Sequence, residues 1–294
     1  MMKRSIFHNR WLPYLLIAPQ MGVVLVFFFW PAFDSLRLSV FRTSPFGDSQ
    51  VFVGADNFLN LFRSTEYLRS IFHSFIFSFG VTFFALFISL FLATLANQKI
   101  QGLPFYRTAV LWTYGVAPPV SGVIWLFIFH PSYGVLPYLL SMVTSYEFNW
   151  LLKGWVAMAL VIFAATWAHL GYNVAFFLAG LQTIPKSVGE AARVDGAGGV
   201  TLFRYITFPL LSPVTFFLFI MNMVFSFFET FGIIHAVTQG GPGDTTTIMV
   251  YKTYVDGFVH LRMGSSAAQS VILMALVIFL TVLQFRYTER KVFY

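Results

Sequence analysis

Six runs of apolar residues, each long enough to cross a lipid bilayer, recur along the chain at roughly 12–40, 70–97, 105–130, 155–182, 212–236 and 266–287. About 20 helical residues span the roughly 30 Å of a hydrocarbon core. In that medium every backbone N–H and C=O must be paired within the protein, so runs of this length fold as helices. The expected fold is an all-α membrane protein with six transmembrane helices. Composition agrees: 10% of the 294 residues are charged, against about 25% in a soluble domain. Thirty-eight Phe residues also exceed what a water-soluble core of this size can hide. The polar joints are short and no separate soluble domain is visible, so residues 1–294 read as one transmembrane domain.

Lys3, Arg4 and Arg10 precede an apolar run from Trp11 to Ala32. A secretory leader begins the same way, but this run is of spanning length and no small-x-small cleavage site follows it, which makes it a retained first helix. Basic residues in the joints set the orientation. One side carries Lys3, Arg4, Arg10, Lys99, Arg107, Lys186, Arg193, Arg204, Arg286, Arg290 and Lys291 against Glu190, Asp195 and Glu289. The other carries Arg42, Arg63, Arg69, Lys153, Lys252 and Arg262 against an equal number of acids, Asp48, Asp56, Glu66, Glu147, Asp244 and Asp256. The first side is expected in the cytoplasm, with both termini. The formal charge of +7 is then a topology signal rather than a nucleic-acid patch. The absence of Cys excludes disulfides and thiolate metal sites.

Between the fourth and fifth runs, about 183–212, lies a cytoplasmic segment far longer than the roughly 2–8 residues that join packed helices. It reads QTIPKSVGEAARVDGAGGVTLFRYITFPLLSP. Pro185 suits a first helical turn and Lys186 to Val194 can form a short helix, which Gly196, Gly198 and Gly199 end. Glu190 and Asp195 stand out on a basic face, and Ala191 and Ala192 give a narrow surface that can enter a groove. The segment is too polar for lipid and too short to fold alone, which suits docking on another protein. On the residues alone, an ordinary surface loop with an amphipathic turn fits as well.

Glu190-Ala191-Ala192, Gly196, Ile206 and Pro209 follow the spacing E-A-A-x(3)-G-x(9)-I-x-L-P, with Phe208 in place of Leu. In this the chain resembles the permeases of binding-protein-dependent ABC importers. RWLPYLLIAPQ, FVGADNFLNLF, YGVAPPVSGVIWLFIF, GGPGDTTTIMVYKTY and the final apolar run extend the resemblance over nearly the whole chain, within the carbohydrate-uptake branch. The resemblance implies a type I importer permease in the bacterial inner membrane. It implies a segment around Glu190, Ala191, Ala192, Asp195 and Gly196 that docks on an ATPase, with Glu190 pairing with a basic group there. The implied partners are a second homologous permease, two ATPase subunits and a periplasmic solute-binding protein facing the outer loops, about 41–69 and 238–264. The implied solute is sn-glycerol-3-phosphate or a glycerophosphodiester, with another sugar of the branch as the alternative.

No G-x(4)-G-K-[ST] phosphate loop exists in the sequence, so no cofactor is expected in this chain. ATP and magnesium would be bound by the partner ATPase subunits, and the chain is expected to be a non-catalytic permease. Six helices make half of a usual translocation unit, and transporter sites lie between related halves.

Polar residues inside the runs mark a candidate path. Asn222, Ser226, Glu229 and Thr230 lie at i, i+4, i+7 and i+8, one helical stripe, and Thr166, His169 and Asn173 share a face at i, i+3 and i+7. Such residues also hold membrane helices together by hydrogen bonds. Glu229 is different: an unpaired carboxylate in lipid is costly, so it must face water, solute or a cation. It would also repel a phosphate dianion, and no Lys or Arg lies deep in any run. Asp34 and Arg37 read as an i, i+3 ion pair, Pro118-Pro119 as a kink, and Gly240–Gly243 as a turn. A secondary carrier with Glu229 as its proton site is the rival reading, against which the long motif stands. An intramembrane enzyme lacks a nucleophile or metal-ligand set beside His169 and Glu229.

Overall fold

The computed structural model describes residues 11–45, 49–98, 102–143 and 149–288. Lys3, Arg4, Arg10, Asp48, Lys99, Glu147, Glu289, Arg290 and Lys291, used above for orientation, lie outside the described residues. In chain order the elements are α1 (Leu12–Val24), a wide π-helical turn (Leu25–Phe29), α2 (Trp30–Leu38), β1 (Phe41–Thr43), β2 (Gln50–Phe52), α3 (Asp56–Arg63) and α4 (Thr65–Ala96). Then come α5 (Leu103–Leu111), a 3-10 turn (Trp112–Gly115), α6 (Pro118–Phe129), α7 (Val135–Val143), α8 (Gly154–Thr183) and α9 (Lys186–Val194). The last are α10 (Gly199–Leu202), a π turn (Phe203–Thr207), α11 (Phe208–Leu210), α12 (Ser212–Phe228), α13 (Phe231–Val237), α14 (Met249–Tyr254), a π turn (Val255–Val259) and α15 (Met263–Thr288).

Four helices are long and apolar enough to cross a membrane: Leu12–Leu38, Thr65–Ala96, Gly154–Thr183 and Met263–Arg286. Two further spans are bent pairs, Pro104–Gly115 with Pro118–Phe129 at 107°, and Gly199–Leu210 with Ser212–Phe228 at 67°. Counting each pair as one span gives six, the number the sequence predicts. The chain is an α-helical membrane protein.

Internal contacts divide the chain into two units, Met1–Arg63 with Thr253–Ile272, and Ser64–Lys252 with Leu273–Tyr294. In the larger unit α4 shows how a membrane helix inverts the usual pattern. Beside Tyr67 and Phe77, its buried residues are small, hydroxyl-bearing or β-branched: Ser70, Ser74, Ser78, Val81, Thr82, Ala85, Ser89 and Ala93. Its outward faces carry Phe72, Phe79, Phe83, Phe87 and Phe91. Lipid accepts Phe as readily as protein does, so small and hydroxyl residues take the helix contacts, where backbones approach closely. Ser70, Ser74 and Thr94 return their hydroxyl protons to carbonyls one turn back, which removes the cost of burying them.

The third span is a full break rather than a kink. Val116 and Ala117 are extended, at ψ 120 and ψ 141, and Ala117 is held there because the residue before a proline avoids the helical region. Pro118 then opens α6 at a position whose N–H needs no partner. α6 crosses α13 without side-chain spacers. A Cβ on Gly122 would lie 2.8 Å from the Ala236 Cβ and 3.2 Å from the Ile233 backbone, and one on Gly232 would meet the Pro119 ring.

The fifth run also departs from expectation. Its straight helix ends at Phe228, and the chain restarts as α13 after Glu229 and Thr230. At its other end, residues 199–210, expected as loop, are helical and meet α12 at the 67° bend. Leu211 has ψ −2 at that corner and Pro213 follows it in the first turn of α12.

In the smaller unit the first span buries no residue. Asp34 and Arg37 form the predicted pair at 3.6 Å, and Arg37 also donates to the Gln50 side-chain oxygen at 3.1 Å. β1 and β2 form an antiparallel hairpin with Arg42 opposite Val51. Asn57 on α3 ties it down, donating from Nδ2 to the Ser39 and Phe41 carbonyls at 2.8 and 2.9 Å.

Candidate coupling and translocation sites

The short helix α9 occupies Lys186–Val194, the span the sequence predicts, with Pro185 just before it at ψ 133. Its end is a six-residue closing motif. Gly196 sits at φ +87, its N–H bonds the Arg193 carbonyl at 3.1 Å, and the Ala197 N–H reaches back to Ala192 at 2.9 Å. A left-handed residue at this point is what glycine supplies without a Cβ clash. The G of the long motif is therefore the stop of this helix.

The motif residues divide between two faces. Ala192 is buried, whereas Glu190, Ala191, Asp195 and Gly196 are exposed. Lys186, Gly189, Glu190 and Arg193 line one side of a cavity of about 470 Å³, whose other wall is Asn97, Leu181, Ile184, Leu202, Ile206 and Thr207. Glu190 makes no ion pair among the described residues, although Lys186 and Arg193 share its face. Sequence reasoning missed the valines: Val194 and Val200 are 88% and 83% exposed on either side of the Gly196 turn. Their signal was apolar valines inside a polar and glycine-rich stretch.

The two polar stripes meet. Asn173 on α8 and Asn222 on α12 exchange amide hydrogen bonds, Asn173 Nδ2 to Asn222 Oδ1 at 3.0 Å and Asn222 Nδ2 to Asn173 Oδ1 at 2.6 Å. Each amide spends its second proton on its own helix, at the His169 and Leu218 carbonyls. Both are fully buried, so neither has a donor left for a solute. Ser226 and Thr230 are buried as well and back-bond to the Met223 and Ser226 carbonyls. Thr166 is buried with an unpartnered hydroxyl.

Glu229 does not share that buried stripe. It caps the end of α12, its N–H still bonded to Phe225 at 2.9 Å, and its side chain is exposed at the break before α13. The regular helix ends there, before Thr230, so the expected stripe closes at this exposed carboxylate. His169 is half-buried, with its ring against Phe225 at 4.0 Å and Tyr172 at 4.8 Å, and its Nε2 has no partner. Tyr172 in turn packs on Tyr114 of the 3-10 turn at 5.5 Å. Two phenols and one imidazole thus gather beside the break of the third span, and the Glu229 carboxylate stands at the break after α12, chemistry suited to hydrogen-bonding hydroxyls. The tyrosines escaped sequence reasoning because aromatics are ordinary in membrane helices; their i, i+3 offset from His169 for Tyr172 was the available signal.

No family model matches the chain. Among curated proteins it is 51% identical over 293 residues to the sn-glycerol-3-phosphate transport system permease protein UgpA of Rhizobium meliloti (strain 1021), covering 100% of both chains. It is 49% identical over the same length to UgpA of Brucella abortus biovar 1 (strain 9-941). It is 47% identical to UgpA of Escherichia coli (strain UTI89 / UPEC), over 99% of this chain and 98% of that protein. The chain belongs to the UgpA family of transport-system permeases. Solved structures agree on the fold of this UgpA-family chain. A chain of the bacterial alginate ABC transporter in complex with its alginate pentasaccharide-bound periplasmic protein superposes with TM-score 0.81 at 20% identity, covering 95% of this chain and 94% of that one. A second structure, of a bacterial ABC transporter involved in alginate import, gives 0.75 at 21% identity over 95% and 96%. As a UgpA-family permease with the ABC importer fold, the chain is a multi-pass membrane transport subunit.

Proposed function

We propose that this permease is one of two transmembrane subunits of an ATP-driven importer for sn-glycerol-3-phosphate or glycerophosphodiesters, with α9 as its coupling helix. The observation that carries the reading is α9 itself: a rigidly terminated helix whose Glu190 carboxylate has no basic partner among the described residues and whose flanking valines stand in the open. Exposed apolar groups beside an unpaired charge suit a partner cleft with an apolar floor and a basic rim. That partner is one of a pair of ATPase subunits that bind ATP and magnesium. The identity of the solute follows the named function of the relatives. A periplasmic binding protein delivers it to the outer face, and the excess of basic residues on the α9 side puts both termini in the cytoplasm.

Closure of the ATPase dimer would push α9, tilt the spans joined to it and open the path outward; hydrolysis would return it. The Asn173–Asn222 lock makes α8 and α12 move together, and the helix breaks beside Glu229 and Tyr114 give the moving walls their polar surface. Glu229, Tyr114, Tyr172 and His169 would then face the second permease across the path and receive glycerol hydroxyls. The test is Glu190→Lys in the assembled transporter. Uptake should be lost and solute-stimulated ATP hydrolysis uncoupled, with membrane insertion unchanged. Normal uptake by that variant would remove α9 from the coupling role.

A further inference from the structure

The smaller unit holds a second polar site that the importer reading does not use. The β1–β2 hairpin, α3 and the start of α15 enclose a cavity of about 330 Å³, at the lower end of the roughly 300–1,000 Å³ typical of small-ligand sites. Its lining includes Arg42, Thr43, Asn57, His260, Arg262 and Ser265. The floor is made possible by Gly264, where any Cβ would collide with the Phe41 carbonyl oxygen and come within 3.2 Å of the Asn57 amide nitrogen. Leu261 is held at φ +57, a region costly for a side chain of its kind, and Arg262 follows it with its N–H bonded to the Asp256 carbonyl at 2.8 Å.

The charge balance inside this cavity is one-sided. Neither Arg42 nor Arg262 has a carboxylate partner among the described residues. The buried acid beneath, Asp256, is committed elsewhere: one oxygen meets His260 Nδ1 at 3.0 Å and the other accepts from Gln269 Nε2 at 2.6 Å. Two guanidinium forks and an imidazole line this one small space, a donor set for a tetrahedral oxyanion.

We propose that this cavity binds the phosphomonoester group of a small solute on the outer face of the permease. The choice of a phosphomonoester rests on the importer reading above. The cavity supplies, outside the spans, the positive charge such a solute needs and that no span carries at depth.

Titration of the assembled transporter in nanodiscs, without binding protein, tests this with sn-glycerol-3-phosphate, inorganic phosphate and uncharged glycerol. Both phosphates should bind and glycerol should not. Arg42→Gln with Arg262→Gln should weaken phosphate binding about tenfold or more, the loss expected when charge-assisted hydrogen bonds are removed. Arg262→Gln alone should weaken it less, and the double Lys variant should recover part of the affinity with its charge. Gel filtration of each complex checks assembly, and the single Arg262→Gln variant keeps the test valid if the double variant fails to assemble. No phosphate binding to the native complex, or equal affinity in the variants, overturns the proposal. So does loss of binding-protein docking in the double variant without phosphate binding in the native complex, which would assign the cavity to an acidic side chain of that protein. Binding-protein-dependent uptake by the native complex, measured beside these, reports on the importer reading separately.

Discussion

Asn173 and Asn222 show how one pair of residues can be read two ways from sequence and one way from geometry. Intramembrane amides mark either a wet wall or a helix contact. Here both protons of each amide are used inside the chain. Asn173→Leu or Asn222→Leu alone should therefore destabilise the permease by about 1–2 kcal/mol, because each leaves a buried amide short of partners. The double variant should cost less than the sum. Thermal unfolding in nanodiscs measures this, and strictly additive losses would mean that the pair does not interact. Glu229→Gln addresses the opposite case, an exposed carboxylate with no ion pair among the described residues. It should leave melting unchanged and lower uptake about tenfold, as the loss of a charged acceptor for a hydroxyl does. Unchanged uptake would take Glu229 off the path.

At the scale of elements, α9 was legible in full because its signals are local: Pro185 before it, Glu190-Ala191-Ala192-Arg193 as good helix formers within it and glycines after it. The same locality gives a prediction with its own control. Gly196→Ala places a Cβ at φ +87, costing about 1–2 kcal/mol, and should fray the last turn that carries Asp195. Gly198, at φ −70 with open space around it, should accept Ala. Solute-stimulated ATP hydrolysis should fall in the first variant and hold in the second; equal rates would show that the helix stop has no part in coupling. The fifth span was legible only in outline. Its apolar pattern resumes after Glu229 and Thr230, where the helix breaks before α13, and a hydropathy window averages over such a break. Gly122 and Gly232 carried no sequence signal of their own either, since their role is set by the crossing partner. The outer cavity was invisible for the same reason: Arg42 and Arg262 are 220 residues apart in a chain of 294 and meet only through tertiary contacts.

For the whole molecule, the spans and their number followed from hydropathy, and the arrangement of two contact units did not, because nothing in the composition changes at residues 63 or 253. Orientation can be measured directly, since the native chain has no Cys. Single cysteines at Ser187 on α9 and at Leu152 in the outer segment before α8, both exposed, should react with an impermeant thiol reagent from opposite sides of the membrane. Labelling of both from the same side would overturn the assigned topology.

The first span, Leu12–Leu38, has none of its hydropathic window buried within the chain. A rod with no berth of its own is a question put to its neighbours, and only lipid or another subunit can answer it. A permease synthesised without its companions would therefore keep a loose leading helix, the kind of segment that quality-control proteases grip first. Survival of the polypeptide in the cell should then track the supply of its partner subunit more closely than its own rate of synthesis.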